Sequence, residues 1–213
     1  MRHILISKQN MFDMASTEEQ FKWDVLSTKS DSLKNLIDCK VINLAKASYE
    51  TFADHLEYLD LTSQASYRDK LSFFKYSYGS LLIVFDNGIE YSFASAEDLN
   101  SVIMCCQKGT DGKRNSNYIM DDKDVLDIAS ISDFESEFGE MLNQKVMTIN
   151  ILTAVDLNSK QRALPSEQGI EFIFENGSKL ILSHNLTENS FVFAVLSQLD
   201  KITPKSIVKM SFQ

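Results

Sequence analysis

The chain has 213 residues, 44% of them apolar and 24% charged, with a net charge of −9. That length and apolar share allow one large or two small folded domains with a sizeable core. Only two prolines, Pro165 and Pro204, argue against a long disordered linker. The acidic balance, with no cluster of Lys and Arg, weighs against nucleic acid and against an anionic membrane surface, and favours a basic protein partner.

The amino-terminal stretch MRHILISKQNMFDM has an apolar run of only Ile4 to Ile6, too short for the hydrophobic region of a signal peptide. No later stretch has the roughly eighteen apolar residues of a membrane helix. Cys39, Cys105 and Cys106 are odd in number and two are adjacent, which reads as reduced thiols in a cytoplasmic protein rather than as a disulfide framework. Residues 2 to 7 form a short expected strand. STEEQFKWDVLS follows as an expected helix, with Ser16 and Glu19 spaced as a capping box and Phe21 and Val25 on its buried side.

Lys40 to Leu44 alternates as a strand should. The phrase returns later, where Lys145, Val146 and Ile149 align with Lys40, Val41 and Leu44. A second echo is stronger. LLIVFDNGIEYSF, residues 81 to 93, matches IEFIFENGSKLIL, residues 170 to 182. Phe85/Phe174, Asn87/Asn176, Gly88/Gly177, Asn100/Asn189 and Ser101/Ser190 are identical at one constant offset, and Asp86/Glu175 and Val84/Ile173 are conservative. Asn-Gly between runs of β-formers signals a hairpin, expected here as a two-residue type I′ turn. Two echoes in the same order point to an internal duplication.

After each hairpin comes a polar step and an apolar run. NSFVFAVL reads as a strand from its β-branched and aromatic content. For the first copy the reading is a helix over residues 96 to 106, with Ser95 and Asp98 as its cap. QKGTDGKRNSNY, residues 107 to 118, is the clearest loop and the expected boundary. DDKDVLDIAS and SDFESEFGEML read as two short helices. KSIVKMSF, after Pro204, reads as a closing strand. The expected fold is α+β, mainly antiparallel β: a first unit over residues 1–107, a loop and acidic connector over 108–138, and a second β-rich unit over 139–213, with peripheral helices.

Chemistry-bearing residues are sparse. His3, His55 and His184 are far apart, and no nucleophile elbow, phosphate loop or dinucleotide fingerprint is written. His55 beside Asp54 and Glu57 is a weak acid/base candidate, and Cys105 and Cys106 read as core filling. Asp121 to Asp124 lacks the alternating ligands and central glycine of a calcium loop. No cofactor, metal site or catalytic residue is therefore expected.

The remaining feature is DDKDVLDIASISDFESEFGE, residues 121 to 140. It sets Asp121, Asp122, Asp124, Asp127, Asp133, Glu135, Glu137 and Glu140 against Lys123 alone, with aliphatic and aromatic anchors threaded through. The anchors would pack it on the body, with carboxylates outward to steer a basic partner. The doubled hairpins Phe85–Gly88 and Phe174–Gly177 and this acidic stretch together resemble bacterial immunity proteins of polymorphic and contact-dependent toxin systems. The resemblance implies a non-enzymatic inhibitor of one cognate toxin, often a basic nuclease, with Asp121, Asp122, Asp124, Asp127, Glu135 and Glu137 as candidate contacts. A ligand-binding or structural pseudo-dimer with a cleft between its copies is the alternative, and an enzyme comes third. The oligomeric state is not legible.

Overall fold

A computed structural model describes residues 22–48, 54, 67–116, 118, 125–128, 137–186, 193–197 and 206–213. Two antiparallel sheets dominate it. The first has six strands in the spatial order β1 (Asp24–Val25), β5 (Ser101–Lys108), β4 (Glu90–Ala96), β3 (Gly79–Phe85), β2 (Val41–Ser48) and β6 (Val125–Asp127). The second has five, in the order β10 (Ala194–Leu196), β9 (Lys179–Ser183), β8 (Gly169–Phe174), β7 (Val146–Ala154) and β11 (Ser206–Phe212). Helices α1 (Ser30–Lys34), α2 (Tyr67–Tyr76) and α3 (Ser159–Arg162) are peripheral.

Period-two alternation puts one face of each sheet into a shared core. Leu81, Ile83 and Phe85 of β3, Tyr91 and Phe93 of β4, and Val102 and Met104 of β5 belong to the same buried cluster as Ile149 and Ile151 of β7, Ile170, Phe172 and Phe174 of β8, and Leu180 and Leu182 of β9. Phe93 meets Phe172 edge-on at 5.8 Å between ring centroids, so the sheets touch face to face. The outer faces are not polar either. Leu152, Ala154, Ile181, Ala194 and Leu196 form a second cluster, and Val25, Ala94, Ala96 and Ile103 a third.

The two Asn-Gly hairpins are built alike, but not as two-residue turns. Gly88 N–H donates to the Phe85 carbonyl at 3.0 Å and Phe85 N–H to the Ile89 carbonyl at 3.0 Å; in the second hairpin Gly177 donates to Phe174 at 2.9 Å and Phe174 to Ser178 at 3.0 Å. Gly88 and Gly177 have φ of +82° and +80°, whereas neither Asn87 nor Asn176 is in the left-handed region. Each loop therefore has three residues, a turn followed by a left-handed glycine, and only the glycine needs the unusual backbone. Asn serves differently: its Oδ1 accepts the next-but-one N–H, Asn87 from Ile89 and Asn176 from Ser178, both at 3.0 Å.

The other correspondences are backbone geometry. β2 bulges against β3 between Val41 and Asn43, and β7 against β8 between Val146 and Thr148. The extra residues, Ile42 and Met147, are both exposed. Lys40 and Lys145 form an antiparallel bridge with each other, so the starts of β2 and β7 lie side by side.

Three expectations need correction. Residues 101–108 are strand β5, not part of a helix: Val102, Ile103, Met104 and Cys105 are all buried, which a strand covered on both faces achieves. Val125–Asp127, read as helical, pairs with β2 as edge strand β6, and of the second expected helix only a 3-10 turn at Gly139–Met141 falls among the described residues. Asp24–Val25, placed in the first helix, pairs with Met104 and Ile103; Ser16 and Glu19 lie outside the described residues. The expected strand 2–7 also lies outside them. The strands at Lys40–Leu44, in NSFVFAVL and in KSIVKMSF correspond to β2, β10 and β11. Among the described residues no helix is long and apolar enough to cross a membrane.

Candidate functional site

The bridge between Lys40 and Lys145 organises one end of the molecule. Lys40 N–H donates to Asp86 Oδ1 at 2.9 Å and Asp86 N–H returns a bond to the Lys40 carbonyl at 2.9 Å. Lys145 and Glu175 repeat this at 3.2 and 3.0 Å. Each hairpin tip is thus tied to the strand start beside it. Across the seam Asp38 N–H donates to the Val146 carbonyl at 2.8 Å and Val146 N–H to the Cys39 carbonyl at 2.9 Å. Asn176 Nδ2 bonds the Glu140 carbonyl at 2.8 Å.

Asp38, Asp86, Glu140 and Glu175 are exposed at this end, with Lys40 and Lys145 half-buried among them. Four carboxylates against two ammonium groups make it acidic. Backbone hydrogen bonds on both sides of the seam hold the tips, and the Lys40 and Lys145 N–H groups fix the Asp86 and Glu175 carboxylates.

Of the acidic residues singled out in the sequence, Asp121, Asp122, Asp124 and Glu135 lie outside the described residues. Asp127 sits on the edge strand β6, half-buried, and its Oδ2 accepts the Asn43 amide at 3.0 Å. Glu137 is engaged internally: one carboxylate oxygen pairs with Lys75 of α2 and the other accepts the Ser197 hydroxyl beyond β10. It anchors α2 against the second sheet, which removes it from the outward-facing set. The end built from Asp38, Asp86, Glu140 and Glu175 was missed as a site. Its signal was the Asp86/Glu175 match, legible as part of an echo but not as a charge cluster.

The histidine and thiol candidates resolve differently. His3 and His55 lie outside the described residues, and Asp54 is exposed. His184 is buried, its Nδ1 bonded to Ser95 Oγ and its Nε2 3.0 Å from Asn185 Nδ2. The Ser95–His184 contact joins β4 to the turn after β9. It belongs to a polar seam between the sheets that includes Gln168 Nε2 to Asn100 Oδ1 at 3.2 Å and Asn100 Nδ2 to Ser166 Oγ at 3.1 Å. Burial pushes the Cys105 thiol up to about 12 and the Cys106 thiol up to about 11, so neither is a ready nucleophile. Among the described residues no group of three or more His, Cys, Asp or Glu is placed to hold a metal ion.

Two further features had no signal in the sequence. A cleft of about 260 Å³ opens between α1 and β4–β5, lined by Lys29, Ser32, Asn35, Tyr91, Met104 and Cys106 among others. All of its lining comes from residues 29–110, so it does not lie between the two sheets' repeated elements. In the core, Lys46 of β2 is fully buried with its ammonium 4.3 Å from the centre of the Phe193 ring and no hydrogen-bond partner among the described residues. Desolvation brings its pKa down from 10.5 to about 7.

Comparison with protein-family models, with curated proteins and with solved structures finds no match.

Proposed function

We propose that the chain is a non-enzymatic protein-binding inhibitor, built of two tandem related β units, that docks a basic partner in the manner of toxin immunity proteins. The observation that carries this is the seam end: two hairpin tips, each tied to a lysine-bearing strand start, bring the exposed Asp38, Asp86, Glu140 and Glu175 to one end. Fixed clustered carboxylates accelerate encounter with a cationic surface, and a preorganised backbone lowers the ordering cost of the complex. Asp121, Asp122, Asp124, Asp127 and Glu135 stay candidate contacts for the basic partner in this reading, with Glu137 as an internal anchor. The relatedness of the units rests on the shared strand order, β5-β4-β3-β2 against β10-β9-β8-β7, with the same bulge and the same three-residue hairpin in each.

The test begins with capture of the partner from the native host and its identification by mass spectrometry. Association is then followed for the wild type and for D38N/E140Q/D86N/E175Q. Asn and Gln keep the oxygen that accepts Lys40 and Lys145 N–H, so charge is removed without untying the tips. The association rate is expected to fall by about tenfold at low salt, with a flatter salt dependence. An identified partner that associates equally fast with the variant defeats this placement of the site. A captured partner that does not inhibit growth when expressed alone defeats the inhibitor reading.

A further inference from the structure

We propose that the cleft between α1 and β4–β5 binds a small organic carboxylate with a short apolar tail, independently of the acidic end. The cleft holds about 260 Å³, a little under the ~300–1,000 Å³ usual for small-molecule pockets. At about 30 Å³ per water molecule, that is room for roughly eight waters, or a ligand of similar size. Its floor is apolar, made by Met104, Ile89 and the ring of Tyr91, all buried. Its rim carries hydrogen-bonding groups from Ser32, Asn35 and Thr110.

Charge decides the head group. Lys29 is the one charged residue lining the cleft, and no ion pair engages it among the described residues. The acids nearby are already matched. Glu90 pairs with Lys108 at 3.3 Å and accepts the Tyr118 hydroxyl, and Asp111 accepts Lys113 N–H at 3.0 Å with the Lys113 ammonium at 3.7 Å. An unmatched ammonium over an apolar floor suits a single anionic group on a short hydrocarbon chain. A cation or a dianion would leave charge unbalanced in the cleft. Cys106 contributes its sulfur as a soft wall; burial keeps it protonated, so the ligand is held without covalent chemistry.

Hexanoate, with eight non-hydrogen atoms, is the probe, and hexanol is its uncharged control. Saturable shifts of the Met104 methyl and Tyr91 ring resonances are followed by NMR for the wild type and for K29Q, a rim change that leaves the floor intact. Hexanoate is expected to bind the wild type at least tenfold more tightly than hexanol, and K29Q is expected to erase that preference while hexanol binding is unchanged. A second variant, M104W, fills the floor and is expected to abolish both. The proposal fails if hexanoate produces no saturable shift at Met104 or Tyr91. It also fails if K29Q keeps the preference for hexanoate, or if M104W, shown folded by its melting transition, binds hexanoate as well as the wild type. None of these outcomes bears on whether the acidic end recruits a protein.

Discussion

Replacing Lys46 by Met tests how this core is held together. Lys46 lies on β2 between Leu81 of β3 and Leu126 of β6, is fully buried, and has its ammonium over the Phe193 ring with no hydrogen-bond partner among the described residues. Its pKa is depressed from 10.5 to about 7 by desolvation alone, which corresponds to roughly 5 kcal/mol at about 1.36 kcal/mol per unit. Met has nearly the same length and no charge, so K46M is expected to be more stable than the wild type at pH 6 by several kcal/mol, on the order of that burial cost. The sign with pH follows from linkage. Between about pH 7 and 10.5 the unfolded chain holds a proton that the folded chain has released, so wild-type stability rises with pH through that window. Below about pH 7 both states are protonated and the full burial cost is present. The advantage of K46M should therefore shrink by roughly 1.4 kcal/mol per pH unit above pH 7. Urea unfolding followed by the fluorescence of Trp23, the single tryptophan, at a series of pH values gives both free energies, and their difference cancels groups common to the two proteins. Parallel curves for the two proteins, or a K46M that is less stable at pH 6, would refute the buried, unpartnered ammonium.

Other expectations are more local. Gly88→Ala and Gly177→Ala should each cost about 1–2 kcal/mol, and equally, because both positions have φ near +80° and open space around an added Cβ. Gly79→Ala should cost clearly more, since its Cβ would lie 1.9 Å from the Ala47 carbonyl oxygen; an equal loss at all three positions would contradict the close approach of β3 to β2. In native protein at pH 8, a thiol reagent should modify half-exposed Cys39 first. Cys105 should react only on unfolding, because burial removes both its access and its thiolate. Rapid native labelling of Cys105, read by peptide mass spectrometry, would show that the first sheet's outer face is open.

Edge protection gives the outermost strand of the second sheet a specific character. β11 exposes Ile207, Val208 and Met210, a composition that invites pairing with another strand. A bulge between Val208 and Met210 sets Lys209 apart, and its ammonium reaches the Pro165 carbonyl at 2.7 Å and Glu167 at 3.3 Å. A bulge and a lysine on an edge are both obstacles to further strand addition, so this strand is guarded where its side chains alone would make it adhesive.

How much was legible in the chain differs by element. The hairpins were legible because left-handed glycine and β-branched flanks are local chemistry, and Gly88 and Gly177 sit at the turns as expected. The turn type was not, because Asn-Gly serves both a two-residue and a three-residue loop. What selects between them is the pairing of Phe85 with Ile89 and of Phe174 with Ser178 across the strands. The helix expected at 96–106 failed because a strand buried on both faces has no period of two to read, and its apolar run is equally a buried helix until β4 and β1 claim its edges. Asp127 and Glu137 looked alike as acidic residues in one stretch. Lys75 and Ser197, distant in sequence, gave Glu137 an internal role.

By itself the sequence determined the doubled Asn-Gly hairpins, the antiparallel character of the protein and its negative charge. These follow from backbone preference, side-chain alternation and composition, all read within a few residues. Only the tertiary structure decided that Lys40 meets Lys145, that four separate carboxylates share one end, that Lys29 lines a cleft between α1 and β4–β5 and that Lys46 lies in the core. Each depends on which strand lands beside which, and that is set by burial of the two sheets against each other rather than by any local stretch of chain.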